Sequence, residues 1–267
     1  MIHNSKHGEI YYKLIGPKNA PILVFNHGLM MDHKTFSEQI NYFSVNYRIL
    51  VWDLPGHGSS FRLEGKFNFS LAAECLKDLL DEVSVDKAVL AGLSLGGQIN
   101  QYFAYLYPEK VLALVHVGSV PLHRKIRSSI YFPLRFFLEL CHLVPEESRI
   151  ARFLVRSVVR TMALEDSTRA YLERSVFLVG KKNFINITRE VLKESSKTAH
   201  PVVRVPSLII HGKKDSFIIG RMARNWHKEI PEFDYKVISS AGHIANLDNP
   251  LHFNKILESF LKRLNYC

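Results

Sequence analysis

A serine hydroxyl is a poor nucleophile near neutral pH unless an adjacent base takes its proton and a third group holds that base. Ser94 has the local setting for such activation, lying between two glycines in Gly92-Leu93-Ser94-Leu95-Gly96. Val89, Leu90 and Ala91 read as the end of a buried strand, and Gly97-Gln98-Ile99 as the start of a helix. Gly-x-Ser-x-Gly at a strand-to-helix junction is the pattern of a nucleophile elbow. Glycine lacks a Cβ, so the turn is free to close tightly. The serine then stands at its tip, above the sheet edge, in strained backbone geometry.

Behind such a serine the acid comes first along the chain and the histidine second. Pro206-Ser-Leu-Ile-Ile-His211 reads as a strand, and Gly212-Lys-Lys-Asp215 follows it. Tyr235-Lys-Val-Ile-Ser239 reads as the next strand, and Ser240-Ala-Gly-His243 follows that. No aspartate or glutamate lies between Glu109 and Glu139, so the loop after the Val111–Val117 strand cannot supply the acid. A lone loop Asp or His is usually a cap or a surface group. Two in matching positions behind an elbow serine select Ser94, Asp215 and His243 as the catalytic set. The oxyanion needs preorganised donors. The backbone N–H of Leu95 is one, and the N–H of Leu29 in His27-Gly28-Leu29-Met30 is the other, with Met30 as second choice.

These residues require a scaffold that brings strand ends to one edge. Residues 8–15 alternate like an edge strand, whereas 21–26 and 47–52 are continuous apolar runs of the kind covered on both faces. Phe36, Ile40 and Phe43 recur at helical spacing. Ser70 reads as the cap of a helix burying Ala72, Leu76, Leu79, Leu80 and Val83. Another helix, carrying Ile99, Tyr102, Phe103 and Leu106, stops at Pro108, and Asn249-Pro250 opens the last one. Strand–helix alternation predicts a mostly parallel, doubly wound α/β sheet. It breaks between about 120 and 204, which reads as helices alone and predicts a cap over the carboxyl ends of the strands.

The chain has 267 residues, 47% of them hydrophobic and 22% charged, the composition of an ordinary globular protein. No apolar run reaches membrane-spanning length, and the polar start is not that of a signal peptide. Cys75, Cys141 and Cys267 are widely separated with no metal-type spacing, and a reduced, cytoplasmic setting is expected. The formal charge is +10, and residues 120–205 hold sixteen lysines and arginines against eight acids. Arg149, Arg152, Arg156 and Arg160 form a helical stripe opposite Leu154, Val155, Val158 and Val159. Such a stripe suits anionic substrates, an acidic lipid surface or simple solvation, whereas no motif supports nucleic-acid binding.

In order, His27-Gly28, Asp53-x-x-Gly56-His57-Gly58-x-Ser60, Gly92-x-Ser94-x-Gly96-Gly97, His211-Gly212-x-x-Asp215 and Gly242-His243 resemble the α/β-hydrolase superfamily over essentially the whole chain. Asn246-Leu-Asp248-Asn-Pro250 is similar to the acidic turn that often follows the histidine there. The resemblance implies an α/β-hydrolase fold, with core segments 1–119 and 205–267 around a helical cap at 120–204. It implies that Asp53 and His57 are structural, and that His27 and His211 orient loops. Serine at the elbow argues against the dehalogenase and epoxide-hydrolase branches, which carry aspartate. The expected activity is hydrolysis of a carboxylic ester of short-to-medium acyl length, with no metal or cofactor. Thioesterase, lactonase, C–C hydrolase, acyltransferase or a non-catalytic ligand-binding descendant are the alternatives. Met30, Met31, Phe217 and Ile244, with the bulky stretch Tyr131–Leu140, are the expected apolar lining of the substrate site.

Overall fold

A computed structural model describes residues 1–125, 138–139, 143–197 and 199–266. Apolar runs that must be covered on both faces become the centre of one eight-stranded sheet, in the order β1-β2-β4-β3-β5-β6-β7-β8. Its strands are β1 (Ile2–Ser5), β2 (Gly8–Ile15), β3 (Ile22–Asn26), β4 (Arg48–Trp52), β5 (Ala88–Leu93), β6 (Val111–Val117), β7 (Ser207–Gly212) and β8 (Asp234–Ile238). Every residue of β3, β5 and β7 is buried. The antiparallel pairs are β1/β2 and β2/β4, and the remaining pairs are parallel. Strand β1 was not anticipated: Ile2-His-Asn-Ser5 is a short polar edge with alternate residues half-exposed.

Helices α1 (Ser37–Phe43), α2 (Phe69–Glu82), α3 (Leu95–Leu106), α7 (Phe217–Glu229), α8 (Ala245–Asp248) and α9 (Pro250–Arg263) flank the sheet. Two large apolar clusters result, one containing Phe25, Phe36, Val115 and Phe253, the other Val24, Leu76, Leu90 and Phe103. Ser70 does not cap α2. The helix starts at Phe69, two residues earlier than a Ser70 cap would give, because Asn68 Oδ1 accepts the Leu71 N–H at 2.7 Å, and Ser70 instead donates to Glu74. Asn249 caps α9 as expected, accepting the His252 N–H ahead of Pro250.

Between β6 and β7 the described residues form helices α4 (Arg149–Met162), α5 (Asp166–Val179) and α6 (Lys181–Lys197). Most of the Tyr131–Leu140 stretch, and Cys141 and Cys267, lie outside the described residues. Leu138 is described, and it is buried against Ile185 and Leu192. No helix among the described residues is long and apolar enough to cross a membrane.

Candidate active site

Strand β5 ends at Leu93, and the chain turns within one residue into α3. Ser94 takes the whole turn, with φ +51° and ψ −111°. A non-glycine residue in that region is strained and persists only where its surroundings enforce it. Here they do. The Ser94 N–H donates to Val117 O at 2.8 Å, and the N–H groups of Gly97 and Gln98 donate to the Ser94 carbonyl at 3.1 and 3.2 Å. Ser119 Oγ donates to the same carbonyl at 2.9 Å. The turn closes only with glycine at two flanking positions, because a side chain on Gly92 would overlap the Gly96–Gly97 backbone, and one on Gly96 would overlap Asn26.

Leu95 is the first residue of α3, so its N–H belongs to the first-turn donors that have no intrahelical acceptor. The loop after β3 supplies the second expected donor. His27 Nε2 accepts the Leu54 N–H at 2.9 Å, so the ring proton sits on Nδ1 and donates to the Gly28 carbonyl at 2.8 Å. Burial holds this imidazole below its ordinary pKa, in the neutral form that this pair of bonds needs. In a trans peptide C=O and N–H point opposite ways, so tying Gly28 O to His27 turns the Leu29 N–H away from it. A side-chain carbon on Gly28 would stand 3.3 Å from Leu93 O, which places this loop against the elbow.

Asp215 follows β7 and His243 follows β8, and the two side chains meet. His243 Nδ1 lies 3.0 Å from Asp215 Oδ2 and 3.2 Å from Oδ1. Asp215 Oδ1 also accepts the Ser216 N–H at 2.6 Å. Burial pulls the His243 pKa down, but the charge of Asp215 and its hydrogen bond together outweigh burial and raise it above the usual value. Gly118 connects this pair to the elbow. A side-chain carbon there would lie 3.1 Å from the His243 ring and 3.3 Å from Asp215 Oδ2, while its neighbours Val117 and Ser119 hold the Ser94 backbone.

Two further anchors fix the surroundings. The Asp248 carboxylate accepts the N–H groups of Leu164 at 3.1 Å, Glu165 at 3.2 Å and Gly242 at 2.8 Å, joining the α4–α5 turn to the loop that carries His243. Met162 reinforces that junction, its carbonyl accepting the His243 N–H at 2.7 Å. On the other side, the Tyr171 hydroxyl of α5 contacts Thr35 Oγ1 at 2.6 Å and accepts the Asp32 N–H at 3.0 Å. The acidic turn hinted at Asp248; nothing in the sequence marks Tyr171.

A second carboxylate–imidazole pair lies behind β4. Asp53 Oδ1 accepts from both the backbone N–H and Nδ1 of His33, at 2.7 and 2.8 Å, and Oδ2 accepts the Ser59 N–H at 2.8 Å. Burial alone would raise the Asp53 pKa; the bond from His33, with the other donors, reverses that and lowers it. His57 is buried nearby and held neutral, its pKa pushed down to about 3 by burial. His211 Nδ1 lies 2.8 Å from Gly212 O, the same contact that His27 makes with Gly28.

An apolar cavity of about 790 Å³, counting the open space at its mouth, lies among Met30, Leu154, Val155, Val158, Met162 and Leu172, with other α4–α6 residues. Ser94, Asp215 and His243 are not in its wall; Met30 and Met162 are the lining residues that belong to or touch the site loops. Of the expected substrate contacts among the described residues, only Met30 lines it. Met31 and Ile244 are instead buried in the main core, because their side chains point inward from loops that pack on the sheet. Phe217 is 75% exposed at the start of α7, the first turn of a helix that buries Gly220, Ala223 and Trp226.

The chain is similar, at 23% identity, to 3-oxoadipate enol-lactonase 2 of Acinetobacter baylyi, covering 95% of this chain and 93% of that protein. It is 24% identical to carboxylesterase YbfK of Bacillus subtilis, covering 97% and 86%. Among solved structures, a thermophilic esterase from Thermogutta terrifontis superposes with a TM-score of 0.82 at 18% identity, over 99% of this chain and 98% of that one. The enol-lactonase of Burkholderia xenovorans LB400 gives 0.78 at 19%, over 98% and 100%. The sequence profile of the alpha/beta hydrolase fold matches residues 21–250, and with the sheet order and the strained turn at Ser94 this establishes that the chain belongs to the α/β-hydrolase family.

Proposed function

We propose that the protein hydrolyses carboxylic esters of short-to-medium apolar acids through an acyl-enzyme on Ser94. The observation that carries this reading is the Asp215–His243 pair packed on Gly118, whose two neighbours hold the Ser94 turn. Ser94 Oγ attacks the ester carbonyl and His243 Nε2 takes its proton, while Asp215 fixes the proton on Nδ1. The oxyanion forms between the N–H groups of Leu95 and Leu29. Collapse of the tetrahedral intermediate expels the alcohol, which takes the proton back from Nε2. Water, deprotonated by the same nitrogen, then releases the acid and restores Ser94.

Helices α4–α6 serve as a cap in this account, and the cavity beneath α4 receives the acyl chain. An apolar chain there gains roughly 0.8 kcal/mol per buried methylene. A lactone is a cyclic ester, and the enol-lactonase names among the relatives put lactones in the same test.

A panel of p-nitrophenyl esters of increasing chain length, with thioesters and lactones alongside, tests the proposal. Esters of short-to-medium length should be preferred, and Ser94→Ala should abolish turnover. Val158→Phe, which fills the cavity, should lower kcat/KM about tenfold for the longer esters and leave acetate unchanged. A non-ester substrate that is clearly better, or turnover that survives Ser94→Ala, contradicts it.

A further inference from the structure

Helix α4 has two faces of different chemistry. Leu154, Val155, Val158 and Met162 line the apolar cavity. At 3.6 residues per turn, Arg149, Arg152, Arg156 and Arg160 fall within an arc of roughly 80° on the other side, with Phe153 beside them and Ile150 next. All four arginines are exposed. Phe153 and Ile150 are 67% and 60% exposed, far more than a helix face that only needs to be solvated requires. The helix carries four arginines and no acid. Among the described residues, Arg156 pairs with Glu173 at 3.3 Å, and Arg152 donates to the Glu147 carbonyl rather than to a carboxylate. Glu146 accepts the Lys181 backbone N–H.

The arginine face and the cavity share an edge. Phe177 and Glu146 border the cavity, and they also border the open groove that contains Arg152 and Glu147. Phe177 is exposed, and Leu143, next to the cavity-lining Val144, is 80% exposed. We propose that this face docks the protein on an anionic lipid bilayer. Lipid phosphates satisfy the guanidinium groups, and the headgroup boundary accepts Phe153, Ile150 and Leu143. A nucleic acid would use the arginines but give Ile150 and Leu143 nothing to enter. The docked orientation sets the mouth of the apolar cavity against the bilayer, the source of single acyl chains. Docking itself does not depend on the ester-hydrolase reading, and Ser94→Ala protein should bind equally well.

The test is co-sedimentation of the full chain with phosphatidylcholine vesicles, either neutral or containing about one-third phosphatidylglycerol. Binding is expected on the anionic vesicles only, and it should be lost as salt rises from about 0.1 to 0.5 M. The double variant Arg149→Glu/Arg160→Glu should weaken binding roughly tenfold or more, with an unchanged circular dichroism spectrum and unchanged turnover of a soluble acetate ester. Phe153→Ser should weaken vesicle binding several-fold without affecting any binding of single-stranded RNA. No sedimentation with anionic vesicles, undiminished binding by the double variant, or binding that ignores Phe153→Ser and is displaced by RNA would each overturn the proposal.

Discussion

Among the described residues two aspartates with buried side chains each hold a histidine, and we assign chemistry to one pair and structure to the other. Asp215 and His243 meet at 3.0 Å and Asp53 and His33 at 2.8 Å, so distance does not separate them. Their surroundings do. Asp53 is fully buried and accepts from three N–H groups, two of them in the backbone, so it ties the loop after β4 to the start of the His33 turn. Its imidazole packs against Tyr11, with ring centroids 5.0 Å apart. His243 instead rests on Gly118, where the absence of a side chain lets it approach the strand end that fixes Ser94. A carboxylate–imidazole contact is therefore a structural staple unless the second nitrogen faces a reacting group.

Substitutions at the two aspartates should separate these roles. Asp215→Asn removes the charge that holds the tautomer and should cost about 10⁴-fold in kcat, with little change in Tm. Because His243 acts as a base only when neutral, and its pKa is raised by Asp215, the acid limb of wild-type kcat/KM should lie above the ordinary histidine value. In Asp215→Asn only the lowering effect of burial remains, so the limb should move to lower pH. Asp53→Ala should do the reverse, losing about 3–5 kcal/mol of stability while the folded fraction keeps most of its turnover. Urea denaturation alongside initial rates reads both outcomes.

Smaller effects sharpen the contrast. Asp248→Ala leaves the N–H groups of Leu164, Glu165 and Gly242 unpaired, loosening the loop that presents His243. A drop of about 10–100-fold in kcat/KM is expected for that misplacement, measured against a stability loss too small to unfold the protein. His116→Phe should have the least effect on rate. Its ring is buried against Trp226, and burial, opposed only by a backbone contact with Gly97, pushes its pKa down to about 3. The folded ring stays neutral while the unfolded one protonates near 6.5, so its contribution is present above that pH and lost as pH falls towards 3. The variant should remove about 1.4 kcal/mol per pH unit of this acid sensitivity between roughly pH 6 and 3.5.

The sheet was legible because β3, β5 and β7 are uninterrupted apolar runs, and the candidate triad because each member follows a strand directly. What the sequence hid depends on contacts between distant segments. Asn68 and Ser70 are both competent caps, and only the backbone path selects Asn68. Met31 and Ile244 have the composition of a substrate wall yet face the core, whereas the observed cavity is walled by α4 and α5, whose inner residues look like ordinary packing. Tyr171 carries no local signal, since its role comes from Thr35 and Asp32, more than a hundred residues away. Gly118 was invisible for the same reason: its lack of a side chain matters only once His243 is placed beside it.

Mass spectrometry after treatment with a fluorophosphonate probe is the most direct measurement of whether Ser94 is the activated nucleophile. The expected result is one adduct per chain, mapped to Ser94, formed rapidly in the wild type and in the folded fraction of Asp53→Ala, slowly in Asp215→Asn, and absent in Ser94→Ala. Folded wild-type protein that stays unlabelled, or an adduct on a different residue, would contradict the account.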